Sequence, residues 1–328
     1  MAITLQQAKV GMADKVDQQV IDEFRRGSLL LDRMIFDNSV SPGTGGSTLA
    51  YGYQRLKTPS RAGFRAINAE YENNEAVREA HTVFLKIFGG TFNLDRVIIN
   101  TSGAVDELQF QLQQKIKAAT NLFHYTVING DSAVDELAFD GLDKALVGTS
   151  TEIGTDRVLD LSTTAALDEN YVEFLDELDN FLAELDGKPT FLMGNSKLMT
   201  KIKAVARRAG YLTASEDAFG RKVSAYDGIP LLDLDYYVNE SGITVPTVAI
   251  EERTVGEAPT TGLTDLYAVR LGLDGFHGAT ITGNNVINTY LPDLQAPGAV
   301  KTGEVEMVAA VALKATRAAG VLRNIKVM

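Results

Sequence analysis

The feature that most constrains this sequence is the stretch of residues 48–75, which is long and charged but has too few apolar side chains to bury itself. It follows a break at residues 41–47, where three glycines and one proline end any regular element. Short apolar alternation at Leu49, Tyr51 and Tyr53 predicts an extended, two-stranded excursion from the body. Ordering it costs roughly 1–2 kcal/mol of backbone entropy per residue. A neighbouring subunit is the simplest surface that offsets this cost.

The charged side chains of this excursion are the first candidate subunit interface. The basic members precede the acidic ones along the chain: Arg55, Lys57, Arg61, Arg65, Glu70 and Glu72. Such charges also protect exposed strand edges from unwanted pairing, so solubility alone is one explanation. The entropic cost favours the other explanation, in which the four basic side chains contact acidic surface on an adjacent subunit.

The remaining pattern interleaves helices and strands without βαβ repetition, which predicts an α+β fold. A polar helical arm is expected over residues 1–37, and strands over 83–88 and 92–99 on either side of two glycines. Apolar residues at spacings of three and four then predict a helix at 104–123 with one buried face: Val105, Leu108, Leu112, Ile116, Ala119 and Phe123. Later strands are expected at 189–193, 229–234, 247–251, 266–271, 286–291, 304–313 and 321–327.

Two further helices of opposite charge are predicted at 169–185 and 197–209. The first has Asp168 as its expected cap and an apolar stripe at Val172, Leu175, Leu178, Leu182 and Leu185, while its other face is acidic. The second is capped by Asn195 or Ser196 and has a basic outer face. Solvated faces are one interpretation; divalent-cation binding by the acidic helix, or contact between the two helices on neighbouring subunits, are the others. The candidate interface residues here are Glu173, Glu177, Lys201 and Arg208.

Composition and motifs exclude several kinds of chemistry. The chain of 328 residues has no cysteine, so disulfides and thiolate metal sites are excluded. It contains neither a phosphate-binding glycine loop nor a G-x-S-x-G nucleophile motif. The histidines His81, His124 and His277 are far apart and form no metal-binding motif. No window is long and apolar enough for a membrane span, and no signal peptide is seen. We therefore predict no catalytic residue, cofactor or metal.

The net charge of −12 argues against tight binding of nucleic acid, since phosphate contacts require a basic surface. The basic face of the 197–209 helix is one exception, but a solvated or partner-facing surface explains it better in so acidic a protein. Repulsion between this protein and DNA remains possible, and the charge favours solubility at high concentration.

At this point the order of elements resembles the Hong Kong 97-type fold of tailed-phage major capsid proteins. The local passages that carry the resemblance are residues 191–195 (FLMGN) with the helix that follows, residues 225–231 (AYDGIPL), and residues 127–131 (VINGD) after the 104–123 helix. The resemblance implies an N-terminal arm at 1–47, an E-loop at 48–80, a peripheral (P) domain at 81–145 with its spine helix at 104–123, an axial (A) domain at 146–284, a long strand returning to the P domain at 285–316, and a C-terminal A-domain strand at 317–328.

The function that this resemblance implies is a major capsid protein, found in the virion and assembled in the host cytoplasm. Such a protein forms hexamers and pentamers, encloses double-stranded DNA without sequence-specific binding, and works with a separate scaffolding protein, a portal and sometimes a decoration protein. Some relatives form a Lys–Asn isopeptide crosslink; Lys57 lies in a suitable segment, but no acceptor is identified. The alternatives are an encapsulin-type nanocompartment shell, a metal-dependent α+β enzyme, and a tail-tube or other virion component.

Overall fold

The computed structural model describes residues 28–39, 48–101, 107–210, 213–216, 222–239, 241–256, 258–281 and 287–328. Within these ranges the α-helices are α1 Leu29–Arg33, α2 Arg96–Thr101, α3 Glu107–Asn129, α4 Leu142–Leu146, α5 Thr164–Ala183 and α6 Ser196–Ala209. The first strands are β1 Phe36–Asn38, β2 Ala50–Thr58, β3 Val77–Phe84, β4 Lys86–Asp95, β5 Glu152–Ile153, β6 Leu159–Asp160, β7 Phe191–Gly194, β8 Thr213–Glu216 and β9 Lys222–Tyr226.

The remaining strands are β10 Ile229–Asp233, β11 Tyr236–Val238, β12 Thr244–Pro246, β13 Glu251–Val255, β14 Ala258–Val269, β15 Phe276–Thr280, β16 Ile287–Tyr290, β17 Val300–Leu313 and β18 Ala319–Lys326, the last preceded by a short 3₁₀ helix at Thr316–Ala318. Helices and strands alternate irregularly along the chain, and the prediction of an α+β fold is confirmed.

Two sheets organise the body. The five-stranded sheet has β17 at its centre, with β4 along one edge and β15 and β16 along the other, while β1 pairs with β15. The nine-stranded sheet runs β5–β18–β14–β7–β10–β9–β8, and β6 and β13 add to its edges. Helices α5 and α6 cover one face of the second sheet and build a core with it, whereas α3 packs on the first sheet in a separate core.

Strand β4 runs straight through Gly89 and Gly90, so the expected pair of strands at 83–88 and 92–99 is wrong. Residues 96–101 form α2 instead of strand. The reason is the close approach of β17: a Cβ on Gly89 would lie 2.0 Å from the carbonyl oxygen of Val305. The glycine pair therefore permits tight strand pairing where the sequence suggested a turn.

Helix α3 ends at Asn129, not at 123, and its predicted face is fully buried only in its second half. Leu112 and Ile116 are only half-buried, and full burial begins at Ala119 and continues through Phe123 and Val127. The predicted start of the helix and Val105 lie outside the described residues. The amino-terminal half of α3 thus keeps apolar surface that the described residues cover only in part.

Helix α5 begins at Thr164, five residues before its predicted start, and its cap is Thr163 and not Asp168. The Thr163 hydroxyl accepts from the amide of Ala166 at 3.1 Å. The predicted stripe is also wrong at Val172, which is 52% exposed. Aromatic side chains decide the buried face, whose members are Leu167, Phe174, Leu178 and Phe181.

Smaller differences concern short segments. Residues 36–38, expected at the end of a helical arm, form β1 and pair in parallel with β15. The strand expected at 247–251 is absent from the described residues there, since β12 ends at Pro246 and β13 begins at Glu251. The arm before residue 28 and the 41–47 break lie outside the described residues. Helix α6 agrees with its prediction, and Asn195 is its cap, accepting from the amide of Leu198 at 2.9 Å.

We expect Gly89→Ala to destabilise the subunit by about 3 kcal/mol, because the new methyl group meets backbone atoms of β17 that cannot move independently. Gly52→Ala is the matched control: it also lies in a strand, but a Cβ there meets nothing within 4 Å. Urea denaturation followed by circular dichroism measures both. Equal midpoints for the two variants would contradict the packing described for β4 and β17.

Candidate assembly surfaces

The hairpin formed by β2 and β3 is attached to the body by a chain of hydrogen bonds at its root. Tyr51 is buried, and its hydroxyl donates to Asp37 Oδ2 of β1 at 2.6 Å. His277 Nε2 of β15 lies 3.1 Å from the same hydroxyl oxygen. Because Tyr51 gives its only proton to Asp37, the imidazole must be the donor in the second bond. Burial raises the pKa of Tyr51, which keeps the phenol protonated and the chain intact.

Arg55, the first predicted interface cation, binds the body of its own subunit. Its Nε donates to the carbonyl oxygen of Leu313 at 3.0 Å, and its guanidinium lies 5.5 Å from the ring centre of Tyr53. Leu313 is the last residue of β17, beyond the part of that strand that β4 covers. Arg55 therefore attaches the hairpin root to the sheet of its own subunit. A contact between Arg55 and another subunit would have to form in addition to this hydrogen bond.

The other predicted cations lie further along the hairpin. Lys57 Nζ lies 3.7 Å from Glu79 on the opposite strand. Arg65 donates to the carbonyl oxygen of Ala69 at 3.2 Å. Among the described residues Arg61 has no ion pair, and Glu70 and Glu72 are likewise exposed and unpaired. Which of these side chains meets a second subunit stays a prediction.

The tip of the hairpin, residues 59–76, is exposed throughout and has no regular secondary structure. It nevertheless carries large apolar side chains: Phe64 is 109% exposed, Ile67 91% and Tyr71 67%. Side chains of this size gain free energy only when another surface removes them from water. None of the described residues supplies such a surface at the tip.

The oppositely charged helices α5 and α6 lie side by side within one subunit. Arg208 of α6 pairs with Asp168 of α5, with a nitrogen–oxygen distance of 2.5 Å. Lys201 donates to the carbonyl oxygen of Ser162 at 2.6 Å. These two predicted interface cations thus have partners in their own subunit.

On α5, the two predicted interface carboxylates share Arg157. Its guanidinium lies 3.8 Å from Glu173 and also pairs with Glu177. These contacts leave the outward acidic face of α5 available to a neighbour. A contact between α5 and α6 of different subunits remains a prediction.

Neither a membrane-spanning helix nor a metal cluster is found in the part of the chain that the structure describes. No helix there is long and apolar enough to cross a bilayer. No group of three or more histidine, aspartate or glutamate side chains within those ranges is placed to hold a metal ion.

Chains with a similar fold occur in solved structures of an encapsulin complex, a phage and a capsid. A subunit of the holo-SrpI encapsulin complex from Synechococcus elongatus PCC 7942 aligns with a TM-score of 0.64 over 99% of this chain and 97% of its own, at 14% identity. A Mycobacterium phage Bobi chain aligns with a TM-score of 0.59 over 100% and 99%, at 10% identity. A chain from the capsid of a native GTA particle gives 0.53 over 98% and 99%, at 14% identity. No protein-family model and no curated protein matches the sequence.

The chain has the Hong Kong 97-type capsid fold. In the terms of this fold, the hairpin of β2 and β3 is the E-loop and α3 is the spine helix. The numerical domain boundaries given above remain predictions.

Sequence reasoning missed an ionic cluster that holds the capsid fold together beneath the nine-stranded sheet. Arg323 of β18 donates to Glu152 at 2.9 Å and to Asp265 at 3.0 Å, and it also pairs with Asp143 of α4. Arg253 reaches the other oxygen of Asp265 at 2.7 Å. A signal was present: Asp265 interrupts an apolar run at 263–269, and a buried carboxylate requires such partners.

The segment at 28–33, the described beginning of the chain, is joined to the spine helix by another contact that the sequence did not indicate. His124 Nε2 lies 2.7 Å from the hydroxyl oxygen of Ser28, which also caps α1. Burial lowers the pKa of His124 from 6.5 to about 4. Burial, assisted by Lys314, also lowers the pKa of His277. Both histidines are therefore neutral. His124 joins the 28–33 segment to α3, and His277 joins the root of the β2–β3 hairpin to β15.

We expect the subunit to lose stability as pH falls from 6.5 towards 4. The folded state holds His124 neutral down to about pH 4, whereas the unfolded chain takes up a proton at its ordinary pKa of 6.5. The contribution of His124 to the free energy of unfolding is fully present above pH 6.5. About 3 kcal/mol of that free energy is lost as the pH falls to about 4. His124→Gln should flatten the pH dependence of the unfolding free energy, measured between pH 7.5 and 4. Parallel curves for the two proteins would argue against it.

Proposed function

We propose that this protein is the major capsid protein of a tailed bacteriophage, which assembles through hexamers and pentamers into an icosahedral or prolate shell around double-stranded DNA. The observation that carries the proposal is the E-loop. Its tip exposes Phe64 and Ile67 almost completely on a subunit that otherwise has the fold of shell-forming proteins. A monomeric function gives no reason to keep this extended apolar tip, whereas a shell offers a partner at every subunit.

The charge of the protein supports enclosure of DNA without binding to it. A net charge of −12 repels phosphates, which disfavours tight binding of enclosed DNA. Many small interfaces per subunit, instead of one large one, are what a closed shell of repeated heterologous contacts requires.

The proposal extends to partners and location. The protein would act in the virion, after assembly in the host cytoplasm with a separate scaffolding protein, a portal and, in some systems, a decoration protein. No cofactor is required for this role.

An encapsulin-type shell is the second candidate, favoured by the alignment with the holo-SrpI encapsulin subunit, whose TM-score of 0.64 exceeds the 0.59 for the Mycobacterium phage Bobi chain. The two functions differ in what assembly needs. For the encapsulin role we expect the chain alone to close into uniform shells, whereas for the phage role we expect a scaffolding protein to set the shell size.

Expression of the protein alone, and with the proteins encoded beside its gene, tests both functions. For the phage role we expect capsomers or irregular particles alone and uniform shells with the scaffold, seen by negative-stain microscopy and sedimentation. Uniform shells from the single protein would favour the encapsulin. A strictly monomeric protein under all conditions, from micromolar to near-millimolar concentration, would contradict both.

For the predicted basic interface, we propose that Lys57 and Arg61 speed the encounter of subunits through the acidic face of α5. Exposed ion pairs contribute only about 0–1 kcal/mol each, but charges of this kind raise association rates. The double variant Lys57→Glu, Arg61→Glu should fold normally and assemble more slowly at low salt. Adding salt should erase the difference as the Debye length falls from about 10 Å to about 3 Å. Light scattering during assembly measures the rates, and equal low-salt rates would exclude this role.

A further inference from the structure

The tip of the E-loop is a preformed turn and not a loose loop. The amide of Ala69 donates to the carbonyl oxygen of Ala66 at 3.2 Å, and Asn68 between them takes the left-handed conformation with φ 67°. Arg65 donates to the carbonyl oxygen of Ala69 and lies 5.4 Å from the ring centre of Tyr71. These contacts tie the turn together on both sides. Phe64 lies directly before this turn, and its ring is fully exposed.

A cavity of about 280 Å³ lies at the root of the same hairpin. The root strands form one wall and the start of α4 another, and the ends of β15 and β17 close the space. The apolar lining residues are Val83, Leu142, Phe276, Val311 and Leu313. Tyr53 and His81, stacked with ring centres 5.7 Å apart, also line it. Its charged lining residues are Arg55, Lys144 and Asp140, and Lys144 pairs with Asp140 at 2.8 Å.

The chemistry of this cavity suits an aromatic side chain. An apolar cavity of roughly 150 Å³ is enough to bind benzene, and this cavity of about 280 Å³, whose lining is part apolar and part polar, has room for a benzyl group. Its aromatic walls pack well against another ring, and a guanidinium such as that of Arg55 is attracted to a ring face. Ile67, the other exposed side chain of the turn, has no ring and would use only part of this lining.

From these observations we propose that Phe64 of one subunit inserts into the root cavity of a second subunit. The proposal rests on the shell function and names the contact that the E-loop makes. Phe64 cannot be serving its own cavity, because it is 109% exposed in the subunit that carries both. It also lies nine residues beyond Arg55, up to roughly 30 Å of extended chain from the root.

This contact joins unlike surfaces, the tip of one copy and the root of the next. Each copy retains a free tip or a free cavity until a ring or shell closes, so the contact propagates from subunit to subunit. Apolar burial holds the two copies at short range and persists at high salt. It therefore differs from the effect proposed for Lys57 and Arg61, which disappears as salt is added.

Disulfide trapping tests the pairing directly, because the natural chain has no cysteine. In the variant Gly63→Cys, Thr82→Cys the first cysteine lies beside Phe64, whose ring is kept, and the second lies on the exposed rim of the cavity. Mild oxidation of assembled protein should give a ladder of dimers, trimers and higher oligomers on a non-reducing gel. The single variants should give at most dimers, and Gly63→Cys, Val172→Cys, with its second cysteine on the outer face of α5, should give no ladder. Absence of the ladder from the first pair would overturn the proposal.

Truncation of the anchor gives a second measurement. Phe64→Ala should leave the melting temperature unchanged, because the ring is exposed, and should raise the concentration for half-assembly by about tenfold, as for a buried aromatic anchor. Leu56→Ala is the matched control: Leu56 is also exposed, at 62%, but lies on β2 away from the tip. An equal effect of both variants, or none from Phe64→Ala, would reject Phe64 as the anchor while leaving shell formation by the wild-type protein intact. If the wild-type protein itself does not assemble, the proposed function fails first.

Discussion

Pairing along both edges of β17 is the constraint on which the rest of the subunit depends. β4 covers one edge over Val300 to Ala309, and β16 and then β15 cover the other. These strands come from distant parts of the chain, so one strand ties early and late segments into a single body. The second half of β17, from Met307 to Leu313, is buried on both faces. Beyond the part of β17 that β4 covers, Arg55 of the E-loop donates to the carbonyl oxygen of Leu313. The E-loop is therefore attached at the end of β17.

The parts of the fold that the sequence predicted are those whose pattern is local. Helix α6 has a cap residue, a clean apolar stripe and a terminal glycine, and nothing distant is needed to form it. The alternation of β17 and the paired strands of the E-loop are also short-range signals. The errors arise where a distant segment decides. The glycines of β4 suggest a turn when the close approach of β17 is not known. The sequence of α5 contains two overlapping apolar stripes, and packing against the sheet determines which of them is buried.

The candidate site was predictable in position but not in contacts. The E-loop was located from its weak apolar pattern, yet its basic residues suggested an electrostatic interface. Folding gives several of these side chains partners that no spacing rule shows: the Leu313 carbonyl for Arg55, Glu79 for Lys57 and a turn carbonyl for Arg65. The hydrogen bonds of His124 and His277 could not be predicted from the sequence either, because each links segments far apart in the chain.

Under the proposed function, each subunit has to hold its neighbours strongly enough for the shell to close and weakly enough to release a misplaced one. The net charge of −12 makes every pair of subunits repel at long range, and salt shortens that range. Against this background the exposed Phe64 and Ile67 do not cause indiscriminate association, since two apolar tips gain little until a fitted cavity receives one of them. Charge repulsion between subunits therefore acts at long range, whereas apolar burial acts only when the surfaces are in contact. In the proposed assembly each contact is small, so a misplaced subunit would dissociate, and only the arrangement in which tips and cavities are all occupied would persist.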